Sequence, residues 1–322
     1  ADGFKGFLQF MQPARESLHS IATGISVYGI SKRNLQDISV ALPPLQEQKA
    51  IAEVLSDVDK LIASMEKLID KKQKIKQGTM QLLLTGKKRL PRFAGWSEVE
   101  RSGDVGYKKT EVGVIPKEWE VKRLGDIFMF LRTGTNSRSE LADEGNIGYI
   151  HYGDIHSKWD TVLDCSIAQI PYIEEKKARN LPRLRDGDLV MVDASEDYAG
   201  LGKSVEVMNI GEQEIVAGLH TILLRGNREF VADGFKGFFQ FMRTVRGSLC
   251  SVATGISVYG ISKRNLQYIS VPLPPLTEQK AIAQILLDMD SEIEALEKKL
   301  NKYKLIKEGM MEELLTGKVR LV

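Results

Sequence analysis

Cysteine is almost absent from this chain of 322 residues, Cys165 and Cys250 being the only two. They form neither a CxxC pair nor a Cys/His ligand spacing, which excludes a disulfide framework and a structural zinc site; both thiols are expected to be reduced and buried. Long apolar runs are missing as well. No stretch of about 18 apolar residues exists to cross a bilayer, and the first residues lack the basic, apolar, small-residue order of a signal peptide, so the expected location is the cytoplasm. Charge of one sign is also lacking: 45 Lys+Arg against 43 Asp+Glu leave a net charge of +2. That balance permits nucleic-acid binding and leaves the decision to local patches. With 43% hydrophobic residues, the chain still has the apolar content for a sizeable core shared between about two domains.

What the sequence does have is a repeat. Residues 1–90 return as 232–321 with no insertion or deletion, an offset of 231 residues. Ala1-Asp2-Gly3-Phe4-Lys5-Gly6-Phe7 reappears as Ala232-Asp233-Gly234-Phe235-Lys236-Gly237-Phe238, and Thr23 to Leu35 reappears as Thr254 to Leu266. A period this long is a domain plus connector rather than a solenoid unit. Identity is dense up to Ala52 and its partner Ala283, then thins to a correspondence of apolar positions. Two different constraints therefore act on the two halves of the repeat.

Pro43-Pro44 and Pro274-Pro275 must end any preceding strand and allow a helix to start just beyond. Past them the apolar positions Ile51, Leu55, Val58, Ile62, Met65 and Ile69 advance in steps of four and three. So do Ile282, Leu286, Met289, Ile293, Leu296, Leu300 and Tyr303. That spacing makes one apolar stripe on each helix, as in a coiled coil, and predicts that the two helices pair with each other; an amphipathic helix lying on its own domain is the alternative. From Ile282 to Leu314 such a helix reaches roughly 50 Å, longer than the flank of a small domain. Both helices finish at Leu-Leu-Thr-Gly-Lys, where Gly86 and Gly317 suit a left-handed cap and the lysine sits near the negative end of the helix dipole. Gly86 to Tyr107 reads as a linker.

Between Ile115 and Leu273 the pattern becomes strand-like: Tyr149 to Tyr152, Asp188 to Val192, Ser204 to Met208 and Ile215 to Leu224, separated by Gly, Asn and Asp turns. One amphipathic helix through Phe235, Phe238, Phe239, Met242, Val245 and Leu249 interrupts it, and Phe4, Phe7, Leu8, Met11, Ala14 and Leu18 repeat it. These aromatic residues are expected in the core. The fold class is α+β, with mixed α/β recognition-sized domains joined by long helices in an antiparallel coiled coil. The expected divisions are 1–44, the C-terminal part of a first domain; 45–86, a spacer helix; 87–114, a linker; 115–275, a complete domain; and 276–322, a second spacer helix. The first copy enters inside the amphipathic helix, so the upstream part of that first domain is expected to be missing.

Motifs for chemistry are sparse. A methyltransferase acting alone would carry a glycine-rich cofactor loop and an Asn/Asp-Pro-Pro-Tyr/Phe motif; Leu273-Pro274-Pro275-Leu276 lacks the polar residue, and Gly200-Leu201-Gly202-Lys203 is too short for a phosphate loop. Asp164, Glu174 and Lys176 loosely imitate the acids and lysine of a magnesium-dependent nuclease.

Gly-Ile-Ser-x-x-Gly-Ile-Ser-Lys-x-Asn-Leu, a short strand, Leu-Pro-Pro-Leu-x-Glu-Gln-Lys-x-Ile-Ala and a long helix occur twice. Ile115-Pro116-Lys117-Glu118-Trp119, Tyr152-Gly153-Asp154-Ile155 and Gly187-Asp188-Leu189-Val190 accompany them. Across essentially its whole length the chain resembles the specificity subunit of type I restriction-modification systems. The resemblance implies two target recognition domains, each reading one half-site of a bipartite double-stranded DNA target, held apart by antiparallel helices. It implies a noncatalytic subunit that docks two methylation and two restriction subunits. This chain would carry no cofactor of its own, and S-adenosylmethionine, Mg and ATP would belong to those partners. Self-association of chains with an incomplete first domain is a further expectation. A metal-dependent DNA endonuclease and a purely structural coiled-coil scaffold are the alternatives.

On that reading, Arg132, Thr135, Asn136 and Arg138 surround a glycine turn with groups that bind guanine, adenine or phosphate, though the same residues suit an ordinary solvated loop. Ser257, Tyr259, Lys263 and Arg264 recur as Ser26, Tyr28, Lys32 and Arg33. Because both copies carry them, they are expected to position phosphate rather than read sequence, a structural turn being the alternative. Base readout is then expected from the segment without a second copy, including Tyr149, His151, Tyr152, Tyr198 and Lys203.

Overall fold

The computed structural model describes residues 2–7, 10–22, 28–36, 38, 42–93, 106–255 and 258–321. They form two compact units, one of Ala1–Ile75 with Met289–Val322 and the other of Lys76–Asp288. Two helices dominate the element order: Leu45–Leu84 and Leu276–Leu315, each of 40 residues and placed at corresponding positions of the two repeats.

In the first unit the helices run antiparallel. Asp59 pairs with Lys307 at 2.6 Å, Glu66 with Lys304 at 2.7 Å and Lys72 with Glu292 at 2.7 Å, so partners fall along one helix as they rise along the other. The predicted stripe faces inward between these ion pairs: Ile51, Leu55, Met65, Ile69 and Ile293 are buried, and Val58, Ile62, Met289, Leu296 and Leu300 are half-buried. Phe4, Met11, Ile51, Leu55, Leu314 and Leu315 close a small core where the short helices Asp2–Lys5 and Gln12–Ile21 meet the long pair. Surface ion pairs of this kind contribute little individually, so the buried stripe supplies most of the association.

The second unit is built on mixed sheets. Strands β1 (Tyr107–Thr110) and β2 (Gly113–Pro116) form a hairpin, and β3 (Glu120–Arg123) pairs antiparallel with β14 (Ser270–Leu273). A five-stranded sheet has the order β4 (Phe128–Leu131), β12 (Thr221–Gly226), β8 (Leu189–Val192), β10 (Ser204–Met208), β6 (Val162–Asp164). A three-stranded sheet places β5 (Ile147–Ile150) between β11 (Glu214–Ala217) and β7 (Tyr172–Ile173), while β9 (Ala194–Ser195) pairs with β13 (Tyr259–Gly260). Leu-Val-Met-Val of β8 is buried at every position, as a strand flanked and covered on both sides requires. Val190, Val192, Val205, Val207, Leu223 and Ile150 are part of the main core.

The recurrent Leu-Pro-Pro-Leu-x-Glu-Gln segment has a structural explanation here. Glu278 is buried and receives Arg89 bidentately at 3.0 and 2.7 Å, and the Nε1–H of the fully buried Trp119 at 3.1 Å. Its neighbour Gln279 accepts from the Ala232 amide and donates to the Phe230 and Pro274 carbonyls. Both helix ends cap as expected, with Gly86 at φ 68° and Gly317 at φ 74°.

Three expectations need correcting. The aromatic segment is not one amphipathic helix: a 3-10 turn over Lys236–Phe241 is followed, after an extended Met242, by a helix over Arg243–Val252. Lys236 through Gln240 are all buried, and five consecutive inward residues cannot share one face of a 3.6-residue helix. Ile215 to Leu224 is not one strand either, because the chain leaves one sheet and enters the other at Gly218-Leu219-His220. Gly218 is required there, since a Cβ would stand 2.1 Å from the Tyr149 ring. Finally, Cys165 is buried but Cys250 is exposed, on the outer side of a helix whose inner side is Val245 and Leu249.

Candidate nucleic-acid interface

Strands β5, β8 and β11 end, and β12 begins, at one rim of the second unit, where β4 also ends: Thr221 lies opposite Val192 and Leu223 opposite Leu131. Segments 132–138, 151–157, 193–203, 218–220 and 258–264 leave the sheets there. The buried Tyr149 ties two of them together. Its hydroxyl accepts from the Asn136 amide at 3.0 Å and the Leu219 amide at 2.9 Å, and contacts the Asn136 carbonyl at 3.0 Å. Thr133 Oγ1 donates to the Thr221 carbonyl and the Gly134 amide to that of Ala217.

Tyr149 was expected to face DNA, but it is fully buried. Its ring supports the loops, and burial pushes its hydroxyl's pKa upward. His151 is also buried; it caps helix Tyr152–Ser157 by accepting from the Gly153 amide through Nδ1 at 3.2 Å. Burial pushes its pKa down, the neighbouring Arg138 and His220 adding to the effect against Asp154. Both residues thus shape the rim from beneath its surface.

Most other candidates do gather at the surface of this rim. Arg138 binds the buried Asp154, which Lys158 also pairs at 2.8 Å. Asn136 donates through Nδ2 to Glu140, which also takes Lys177 and the Ser137 amide. These three partners hold the Glu140 carboxyl down to about 2. Arg132, Thr135 and Arg264 are exposed, and the two arginines carry no ion pair among the described residues. Lys263, expected on phosphate, donates instead to the Leu131 carbonyl at 2.8 Å, joining the repeated segment to the 132–138 loop. Lys203 pairs with Asp160 at 3.1 Å and reaches the His156 carbonyl. Tyr198 stacks on Tyr259 at a centroid distance of 4.0 Å. Ser257 lies outside the described residues.

Two features had no clear signal in the sequence. Arg246 donates to the Leu201 carbonyl at 2.6 Å and to those of Tyr198 and Ala199, so the helix of the repeated segment clamps the 195–203 loop. His156 and His220 both stand edge-on to Tyr152. The nuclease constellation does not assemble. Asp164 lies on β6 and holds Ser166, Glu174 follows β7 of the other sheet, and the Lys176 ammonium stands 3.9 Å from Glu174 on the surface. Among the described residues no group of three or more His, Cys, Asp or Glu is placed to hold a metal. No described helix is long and apolar enough to cross a membrane.

A family model described as "Type I restriction modification DNA specificity domain" matches residues 6–77 and 116–304. The chain is 28% identical over 323 residues to the type I restriction enzyme MjaVIII specificity subunit of Methanocaldococcus jannaschii, covering 98% of this chain and 70% of that protein. A second protein of that organism, bearing the name of the MjaX specificity subunit, is 29% identical over 299 residues, covering 91% and 62% respectively. The chain thus spans between 62% and 70% of the lengths of these relatives. The crystal structure of the S subunit of a type I restriction-modification system from M. genitalium superposes with a TM-score of 0.56 at 17% identity, over 97% of this chain and 72% of that one. That likeness establishes the shared mixed helix-and-sheet fold.

Proposed function

Since the chain belongs to the type I restriction modification DNA specificity domain family, we propose that it is the DNA-recognition component of a type I restriction-modification complex. In this reading the second unit reads one half-site of a bipartite double-stranded target. The observation that carries it is the convergence of five segments at one sheet rim, bringing Arg132, Thr135, Asn136, Arg138, Tyr198 and Arg264 together on one surface. Guanidinium, amide and hydroxyl groups of this kind serve base edges and phosphates alike. The buried Tyr149 and the Arg246 clamp hold the loops in place, and pre-organisation of that kind lowers the entropy lost on binding.

The chain itself performs no bond-breaking step in this proposal. Two methylation and two restriction subunits dock on it and bring S-adenosylmethionine, magnesium and ATP with them, and the assembly works in the cytoplasm. The matched 40-residue helices are the natural support for such docking, because they present corresponding surfaces in both repeats. Pairing of two chains would bring two copies of the second unit into one assembly.

The test is co-purification with a cognate methylation subunit, followed by sequencing-based mapping of methylated adenines on random DNA. Methylation confined to one motif is the expected result. A stable complex whose methylation follows no motif would overturn recognition and leave a scaffold. Arg132→Ala and Arg264→Ala should each weaken binding to all sequences alike and lower the salt slope by about one.

A further inference from the structure

Three of the chain's four histidines surround Tyr152. Ring centroids lie 4.5 Å away for His151, 6.1 Å for His156 and 5.2 Å for His220. Their surroundings divide the roles. His151 is committed to its helix cap. His156 lies under the 195–200 loop, so closely that a Cβ on Gly200 would stand 2.8 Å from its ring. His220 alone projects from the rim, with its side chain 49% exposed.

The backbone at His220 is unusual. Its φ is 52°, in the left-handed region that glycine and asparagine occupy readily and other side chains rarely. Such strain persists where surrounding contacts fix it, and it concentrates at functional positions. Here the contacts are explicit. Asp193 Oδ1 faces His220 Nδ1 at 3.3 Å, the Asp193 amide donates to the His220 carbonyl, and the Ile261 amide donates to the Asp193 carbonyl. Tyr152 stands edge-on to the imidazole at 85°.

In the neutral imidazole, a carboxylate accepting from Nδ1–H places the proton on that nitrogen and leaves Nε2 as the acceptor. Among the described residues Nε2 has no hydrogen-bond partner. The adjoining Asp193 carboxylate repels phosphate, which argues against a backbone contact at this point. In the major groove the base groups that donate to such an acceptor are the amino groups of cytosine and adenine.

We propose that His220, set by Asp193 and Tyr152, is a specificity-determining residue that accepts a hydrogen bond from the exocyclic amino group of cytosine or adenine at one position of the half-site. The inference rests on the recognition function proposed above and adds the residue and the base chemistry.

The experiment maps methylation motifs for the wild-type chain, His220→Gly and His220→Asn, each in complex with the methylation subunit. Both substitutions suit the left-handed backbone, so the melting temperature should stay level or rise. In wild type one motif position holds cytosine or adenine. In His220→Gly discrimination at that position alone should fall by roughly tenfold, the amount one good base contact supplies. His220→Asn should shift the same position toward adenine, with which an amide pairs bidentately. A His220→Gly motif identical to wild type overturns the inference and leaves the proposed function standing. So does a uniform loss across all positions accompanied by a lower melting temperature, which would mark a structural histidine. A wild-type complex with no motif removes the recognition function itself, and this inference with it.

Discussion

Lys236 and its counterpart Lys5 share a sequence context but not an environment, and replacing each by methionine separates burial from sequence. Lys236 is 1% exposed and lies 3.0 Å from Glu206, itself 0% exposed, and 2.5 Å from Asp233. Glu206 also accepts the Gly234 and Gly237 amides at 2.7 and 3.1 Å. Among the described residues Lys5 pairs only with Asp2, at 2.8 Å, and the two side chains are 74% and 99% exposed. Breaking a buried pair by removing one partner costs about 3–5 kcal/mol, because the other charge is left without compensation. An exposed pair contributes under about 1 kcal/mol. In a unit of this size, Lys236→Met should lower the melting temperature by roughly 6–20 °C, and Lys5→Met should barely move it.

The pH dependence gives an independent reading. Burial pushes the Glu206 carboxyl upward while Lys236 pulls it down; without the lysine only burial and the two amides remain, so the carboxyl rises further. A native state that keeps a proton the unfolded chain has released loses stability as pH increases, by at most about 1.4 kcal/mol per pH unit between the unfolded and folded values. Urea unfolding of Lys236→Met, followed by the fluorescence of Trp119 and Trp159 in the same unit, should therefore show stability falling from pH 5 to pH 8 more steeply than in wild type. Adding Glu206→Gln should flatten that slope. Equal small losses for Lys5→Met and Lys236→Met, with no added slope, would refute the reasoning.

Gly218→Ala places a methyl 2.1 Å from the Tyr149 ring; overpacking of this kind costs about 1–3 kcal/mol, and displacement of Tyr149 should release the Asn136 and Leu219 amides to faster hydrogen exchange. Thiol titration of the native chain at pH 8 should modify Cys250 and spare Cys165, whose thiol burial pushes up to about 12; both should react in denaturant. The Glu140 carboxyl, held down to about 2 by Lys177, Asn136 and the Ser137 amide, gives stabilisation that is complete above the ordinary glutamate value and lost as pH falls toward 2. Chemical shifts of the 136–140 segment should accordingly stay native at pH 4, and Lys177→Ala should move their titration upward.

What could be seen in the sequence was whatever depends on periodicity or repetition. The helix stripe from Ile51 to Ile69 and from Ile282 to Leu300 follows from spacing alone, and the glycine caps follow from the need for positive φ. The rim was only partly visible. Its loops could be placed, but Tyr149 and His151 could not be told from surface residues. An alternating strand pattern does not say which sheet closes over which face. His220 carried no signal, since its left-handed backbone is imposed by Asp193 and the sheet crossover, partners distant in sequence. Lys263 misled in a different way: a basic residue in a polar segment suggests phosphate, yet its ammonium is held on the Leu131 carbonyl.

The repeated Glu-Gln motif shows how duplication and packing combine. Arg89 of the first repeat binds Glu278 of the second, and Arg320 of the second binds Glu47 of the first at 3.1 and 2.8 Å. The offset of 231 residues maps each pair onto the other, so each motif is completed by the opposite repeat. The two pairs differ in the burial of the arginine: the Arg89 side chain is 12% exposed and the Arg320 side chain 60%, while the carboxylates Glu278 and Glu47 are both buried, at 1% and 4%. Arg89→Ala also leaves Glu278 as the acceptor of the buried Trp119 indole without its charge partner. It should therefore destabilise by about 3–5 kcal/mol, more than Arg320→Ala, whose guanidinium is already largely solvated, in thermal unfolding of the full chain. Equal losses from the two substitutions would mean that sequence position, and not burial, sets the strength of these contacts.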